Sequence, residues 1–324
     1  MILQVEGLKK HFTVGGAIDR LFGRTDVVRA VDGVSFELDR GQTLGVVGES
    51  GCGKTTLART IARLYRPTEG RIVFKDRDIT NLSDSGFRPL RRNIQMIFQD
   101  PLASLNPRRT VGEIVEKPLR VHGIDRNRTE RVDEVLMGVG LEPRLHRDRY
   151  PYQLSGGQAQ RVGIARSLIL DPELIIADEP VSSLDVSVQA QLINLLQKLQ
   201  GELGLAYMFL AHDLSVVRHL SHYVMVMYMG KAVEFAPTEQ LFGDPLHPYT
   251  QVLLKAVPRI RGRQETIDLR GHPPSPLHPP GGCSFHPRCP MKIGEVCEDE
   301  DRGSSRPAPD TSTVVVSQLG RLTA

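Results

Sequence analysis

The run Gly48-Glu49-Ser50-Gly51-Cys52-Gly53-Lys54-Thr55 constrains this chain more than any other stretch, because it fits the pattern G-x-x-x-x-G-K-[ST] and its flanks fit as well. Before it, Thr43-Leu44-Gly45-Val46-Val47 reads as a buried parallel strand. After it, Leu57, Ile61 and Leu64 recur at helical spacing and predict a helix. Strand, glycine loop and helix in that order offer phosphate a cradle of backbone N–H groups at a helix N-terminus, where the peptide dipoles favour an anion. In such a cradle Lys54 reaches the terminal phosphates, the Thr55 hydroxyl is placed to ligate Mg²⁺, and Thr56 carries the loop into the helix. The loop predicts a bound nucleotide and an α/β fold.

The 324 residues can bury a substantial core, as one large or two smaller domains. A net charge of +3 is too small for the basic stripe of a nucleic-acid binder, so no nucleic-acid partner is expected. No apolar run approaches the ~20 residues that span a bilayer, and Met1-Ile2-Leu3-Gln4-Val5-Glu6 does not read as a signal segment. A cytoplasmic location is expected. Of four cysteines, Cys283, Cys289 and Cys297 crowd near the end, which is not the pattern of a disulfide scaffold.

The first third reads as strands with turns: Val34, Phe36 and Leu38 alternate with polar neighbours, Arg40-Gly41 turns, and Ile72-Val73-Phe74 and Ile94 to Phe98 supply further strands. From about Asp100 to Tyr152 the signal is helical, with Val111, Ile114 and Val115 in one helix and Val132, Val135 and Leu136 in another. Alternation then returns. Leu174 to Ala177 is a buried strand, Val188, Leu192, Leu195 and Leu199 form a helix stripe, and Tyr207 to Ala211 is another strand, a succession that indicates a parallel sheet covered by helices. Beyond Pro237 the texture changes, and the proline- and glycine-rich run from Gly271 to Gly282 reads as an extended linker into a cysteine-bearing tail.

Two further stretches carry chemistry. Asp178 and Glu179 follow the strand Leu174 to Ala177, at the strand end where ligands of open α/β sheets bind. Asp178 is positioned to hold Mg²⁺, and Glu179 can accept a proton from the water that attacks a γ-phosphate. Leu154-Ser155-Gly156-Gly157-Gln158 opens a helix through Val162, Ala165 and Leu168 and makes a second N-terminus suited to phosphate. One nucleotide needs one such site. The second is best explained if it closes over the nucleotide of another chain.

Together these residues resemble the ATP-binding cassette family of ATPases over about residues 1–260. The loop looks like its Walker A motif, Leu174 to Glu179 like its Walker B and Leu154 to Gln158 like its signature. The resemblance implies an α/β P-loop NTPase cassette, with a RecA-like parallel sheet core, an antiparallel β subdomain and a helical subdomain at about residues 100–160. It also implies roles for single residues. Gln99 resembles the Q-loop glutamine that touches Mg²⁺ or the attacking water, Asp185 in Ser183-Leu184-Asp185 belongs to a D-loop at the dimer interface, and His212 is similar to the switch histidine on the γ-phosphate. Phe12 is where the family has an adenine-stacking aromatic, with core packing as the competing reading, and the long stretch Thr13 to Val27 follows it. Lys54, Asp178, Glu179 and His212 are all intact, which implies a competent ATPase binding ATP and Mg²⁺, with Ser155, Gly156, Gly157 and Gln158 acting in trans.

Phe98 to Arg108, Pro245-Leu246-His247-Pro248-Tyr249-Thr250 and the tail Cys283 to Pro290 extend the resemblance to ATP-binding subunits of oligopeptide and dipeptide importers. That implies a C-terminal extension over residues 261–324, two membrane permease subunits, an extracytoplasmic substrate-binding protein, and a second ATPase subunit forming a heterodimer at the cytoplasmic face of the inner membrane. Other cargo (nickel chelates, glutathione, sugars), a soluble cassette protein and a regulator without turnover are the rival readings. In some of these subunits the tail cysteines hold an iron-sulfur cluster, which takes four thiolates. Here Ser317 stands about where a fourth cysteine is expected. A [4Fe-4S] cluster with a substitute ligand, a zinc site recruiting His286, and metal-free cysteines stay open.

Overall fold

A computed structural model of the chain describes residues 1–15, 26–256, 273–292 and 294–298. In chain order the elements are β1 (Leu3–Val14), β2 (Asp26–Leu38), β3 (Thr43–Val47), α1 (Lys54–Ile61), β4 (Glu69–Phe74), β5 (Arg77–Asp78), α2 (Asp84–Phe87), β6 (Ile94–Ile97), α3 (Pro101–Ser104), α4 (Val111–Val121), α5 (Arg128–Gly138) and α6 (Pro143–His146). Then come α7 (Gly156–Leu168), β7 (Leu174–Asp178), α8 (Val186–Leu203), β8 (Ala206–Leu210), α9 (Leu214–Leu220), β9 (Tyr223–Tyr228), β10 (Lys231–Pro237), α10 (Thr238–Gly243) and α11 (Pro248–Ala256). Two compact units interleave along the sequence. One holds Met1–Ile2, Leu38–Thr43 and Asn81–Ala211, the other Leu3–Glu37, Leu44–Thr80 and the described residues from His212 onward.

In the first unit β6, β7 and β8 run parallel, with Ile97 opposite Ala177 and Ala177 opposite Phe209. Every residue of β7 and β8 is buried, which is why both read as continuous apolar runs rather than alternating ones. The predicted helical insertion is present as α3 to α6. α4 starts on a reciprocal cap between Thr110 and Glu113 and buries Val111, Ile114, Val115 and Leu119, while α7 packs against α3, α4 and α5.

The second unit carries an antiparallel sheet of order β2-β1-β4-β5 and a strand group of order β10-β9-β3. β3 pairs parallel with β9, from Leu44 opposite Tyr223 to Val47 opposite Val226, and β10 pairs antiparallel with β9. β1, β9 and β10 are not anticipated by the sequence reading. α1 also stops earlier than its periodicity suggests. Arg63 takes a left-handed φ of 57°, and the N–H groups of Leu64 and Arg63 return to the carbonyls of Arg59 and Thr60 at 2.8 and 3.1 Å. This closes the helix in a Schellman arrangement with arginine where glycine is usual, and leaves Leu64 exposed.

After α11 the described tail holds only short 3₁₀ turns, at His286–Arg288 and Gly294–Cys297. Gly271 and His272, at the start of the expected linker, lie outside the described residues, and residues 273–282 form neither helix nor strand. Phe285 is buried among Tyr228, Tyr249 and His247, with ring centroids 5.3, 5.3 and 6.0 Å away. Buried Glu234 of β10 accepts the N–H groups of Leu246 and His247, each at 2.9 Å, and so fixes the approach to α11. His247 Nδ1 in turn accepts the Tyr249 N–H at 3.1 Å, an arrangement open only to the neutral ring.

Burial lowers the His247 pKa from 6.5 to about 4. Between these values the unfolded chain binds more protons than the folded one. Stability is therefore kept above the unfolded pKa and falls as pH drops toward the folded one, by about 3 kcal/mol at the acid end. His247→Asn, which retains an acceptor for the Tyr249 N–H, is expected to flatten this acid slope. Thermal unfolding of both proteins from neutral pH down to about 4 checks it.

Candidate active site

In the second unit, β3 delivers the chain directly into the loop Gly48 to Thr55, and α1 begins at Lys54. Gly48, Gly51 and Gly53 all have positive φ, 153°, 80° and 109°. The loop is tightly walled: a Cβ on Gly48 would stand 2.2 Å from the Met227 carbonyl oxygen, and one on Gly53 2.1 Å from that of Ala30. Such a fold turns backbone rather than side chains toward a ligand. Lys54 is buried, and its Nζ donates to the carbonyls of Gly48 at 2.7 Å and Glu49 at 3.2 Å. The third N–H of the ammonium reaches only Cys52 Sγ, at 4.0 Å, a long sulfur contact that a phosphate oxygen can replace. Burial pushes the Cys52 thiol up, opposed by the charge of Lys54, so Cys52 serves as a small buried packing group.

In the first unit the parallel register of β6 and β7 brings Gln99, Asp178 and Glu179 out at the same, C-terminal end of the strands. Asp178 ends β7 with only 2% of its surface exposed. Glu179 holds a φ of 47°, uncommon for a residue with a Cβ, and hydrogen bonds hold it on several sides. Its N–H donates to the Leu210 carbonyl at 3.1 Å, its own carbonyl accepts from Ser182 Oγ at 3.0 Å, and its carboxylate accepts from Gln99 Nε2 at 2.9 Å. Two residues singled out separately in the sequence are thus in contact. His212 follows β8 by two positions and is exposed.

Ser155 and Gln158 cap each other: the Gln158 N–H donates to Ser155 Oγ at 3.3 Å and the Ser155 N–H to Gln158 Oε1 at 3.0 Å. The Gln158 N–H is therefore taken by the cap. Glycine at position 157 also has a packing reason, because a Cβ there would stand 2.6 Å from Val188 Cγ1 of α8. Asp185 caps α8, accepting the N–H groups of Ser187 and Val188 at 3.1 and 3.0 Å, and the Val188 bond leads in lowering its pKa.

Phe12 lies in β1, half-buried and edge-on to Tyr65 at 5.5 Å, with Lys10 Nζ 4.8 Å over its ring; the stretch behind it falls at 16–25 outside the described residues. In the tail, the Cys283 N–H donates to the Cys297 carbonyl at 3.1 Å, and burial pushes the Cys289 thiol up. Among the described residues no group of three His, Cys, Asp or Glu is arranged to hold a metal ion, and Ser317 lies outside them.

Three contributors escaped the motif reading. Arg166 of α7 donates to the Ser104 carbonyl at 2.6 Å and lies 5.9 Å over the Phe98 ring, tying the helix behind the signature to the segment around Gln99. Tyr249 and Arg288 both bond to Glu49 of the loop, at 3.0 Å each. Tyr249 and Arg288 both belong to runs already singled out, but nothing in either run points to the loop as its target.

The family described as ABC transporter matches residues 31–182, and that described as oligopeptide/dipeptide transporter, C-terminal region, matches residues 233–297. An oligopeptide transport ATP-binding protein of Bacillus subtilis, AppF, is 54% identical over 307 residues, 92% of each chain. The dipeptide transport ATP-binding protein DppF of Haemophilus influenzae is 50% identical over 303 residues, 92% of this chain and 91% of the relative. Among solved structures, a dimeric post-hydrolysis state of the ATP-binding cassette MJ0796 bound to ADP and Pi superposes with a TM-score of 0.64 at 30% identity, covering 73% of this chain and 99% of that one. The chain belongs to the ABC transporter family and is an ATPase of that family.

Proposed function

We propose that the chain is the ATP-hydrolysing subunit of a peptide importer, with a cassette over about residues 1–260 and the C-terminal extension over 261–324. The observation that carries the cargo class is the match of residues 233–297 to the oligopeptide/dipeptide transporter C-terminal region, continuous with relatives named for oligopeptide and dipeptide transport. On this reading the partners are two membrane permease subunits, a second ATPase subunit in a heterodimer and an extracytoplasmic substrate-binding protein. The chain then sits at the cytoplasmic face of the inner membrane. In keeping with a peripheral subunit, no helix among the described residues is long and apolar enough to cross a membrane.

Each residue has a role in this reading. The loop Gly48 to Thr56 binds the ATP phosphates through backbone N–H groups and Lys54, and Phe12 offers its ring to the adenine. The buried carboxylate of Asp178, the Thr55 hydroxyl and the Gln99 amide are hard oxygen donors that suit Mg²⁺, whose charge offsets that of the phosphates. Glu179 accepts the proton of the water that attacks the γ-phosphorus. The bond to the bridging oxygen breaks, and ADP and inorganic phosphate leave. His212 contacts the γ-phosphate, while Ser155 to Gln158 and Asp185 serve the nucleotide of the partner ATPase. The tail thiols do not fit a [4Fe-4S] cluster on what is described, three cysteines against four thiolates, and no step runs through a metal there.

Cells lacking this chain and resupplied with it, or with Lys54→Ala, test the assignment by uptake of labelled di- and oligopeptides. Restored peptide uptake that requires Lys54 is expected. Uptake indifferent to the chain, with a non-peptide cargo dependent on it, would replace the cargo class.

A further inference from the structure

Glu49, the second residue of the phosphate loop, is held at both polar ends by the C-terminal part of the chain. Its N–H donates to the Tyr249 hydroxyl at 3.0 Å, and its carboxylate accepts from Arg288 Nη1 at 3.0 Å. The Arg288 side chain is only 6% exposed, and the same nitrogen reaches the Tyr228 hydroxyl at 3.4 Å. Burial opposes the charge of Arg288, but its hydrogen bonds to Glu49 and Tyr228 outweigh that effect. Phe285, three residues before Arg288, is wedged against Tyr228 and Tyr249, so the two residues that grip Glu49 share one packed aromatic cluster. From the other side Lys54 Nζ holds the Glu49 carbonyl at 3.2 Å.

A carboxylate on a loop that receives a polyphosphate is an electrostatic liability unless it is neutralised or turned away. A buried arginine, for its part, needs a partner carboxylate. Both needs are met by this one pair, 239 residues apart in sequence. We propose that Arg288 and Tyr249 are positioning residues of the phosphate loop. Arg288 neutralises the Glu49 carboxylate and holds it off the incoming phosphates, and Tyr249 fixes the Glu49 peptide. The C-terminal part of the chain, from Tyr249 onward, thereby sets the affinity of the loop for ATP. This rests on Gly48 to Thr55 being the ATP site, and neither residue is assigned a contact with ATP.

The test uses the full chain, with equilibrium ATP binding, steady-state hydrolysis and thermal unfolding measured on each variant. Arg288→Ala is expected to weaken ATP binding about tenfold, the range of ordinary coupling between linked sites, raising KM while kcat changes less than about twofold. Arg288→Lys keeps the charge without the planar fork and recovers part of the loss. Arg288→Ala combined with Glu49→Gln removes the unneutralised carboxylate and returns the affinity to within about threefold of the parent. Tyr249→Phe keeps the ring and weakens binding about threefold through the lost hydroxyl alone. The proposal is overturned if Arg288→Ala binds ATP like the parent, or if the double variant stays as weak as Arg288→Ala. Should Arg288→Ala not fold, Tyr249→Phe decides, and unchanged ATP affinity overturns the proposal. Lys54→Ala separates the two levels: undiminished ATP binding in that variant removes the ATP-site reading itself.

Discussion

Glu179→Gln is expected to lower ATP turnover about a thousandfold, equivalent to about 4 kcal/mol of activation free energy, while ATP affinity stays close to that of the parent. The substitution is nearly isosteric. The bonds that set the backbone at this residue, from its N–H to Leu210 and from Ser182 to its carbonyl, do not involve the side chain. Gln99 Nε2 now donates to the carboxylate at 2.9 Å, and a glutamine can present its amide oxygen to the same donor. What is lost is the ability to take a proton from water. Because the φ of 47° is held by main-chain bonds, the melting temperature should be nearly unchanged, which keeps a fall in turnover from being confused with unfolding. Single-turnover hydrolysis and equilibrium binding measured together separate the outcomes. Turnover that survives the substitution would remove Glu179 as the base, and lost binding would make it a structural residue.

The parts of this molecule that were legible in sequence are those whose physics is local. A glycine loop between an apolar strand and a helix declares itself within about twenty residues, since the strand, the turn and the helix start are each specified by adjacent side chains. The same holds for β7 and β8, whose burial on both faces is written as uninterrupted apolar runs. Elements whose logic is distant were not legible. α1 ends at Ile61 through main-chain bonds around Arg63, and an arginine in a position usually held by glycine gives no sign of a stop. β10 contains Glu234, a charge that reads as surface until its acceptor role toward Leu246 and His247 is seen. Gly157 reads in sequence only as part of a helix start, and that its missing side chain also makes room for Val188 of another helix is visible only in the fold. The grip of Arg288 on Glu49 spans nearly the whole chain, and no periodicity or spacing encodes it.

Gly53→Ala is expected to abolish useful nucleotide binding, with a loss of about a hundredfold or more, because the loop must move by about 1 Å to admit the methyl group. The added Cβ would lie 2.1 Å from the Ala30 carbonyl oxygen and 3.5 Å from the Gly230 Cα. The Ala30 carbonyl is the overlap, while Gly230 stands at ordinary contact distance and closes the way out. The Asp32 N–H donates to the Gly230 carbonyl, and the Gly230 N–H donates to that of Cys52, each at 2.8 Å, so the strand, the β9–β10 turn and the loop are pinned to one another. Strain at φ 109° adds to the overlap, and the variant should unfold about 2–4 kcal/mol more easily than the parent. Gly51→Ala supplies the contrast. Gly51 shares the positive φ, 80°, but nothing lies within 4 Å of a Cβ there, so only the backbone cost of about 1–2 kcal/mol applies. ATP titration and urea unfolding of both variants should therefore rank Gly53→Ala well below Gly51→Ala in affinity and in stability. Equal losses at the two positions would mean that the direction of the N–H groups at the loop apex, and not the wall formed by the Ala30 carbonyl, governs how this loop receives phosphate.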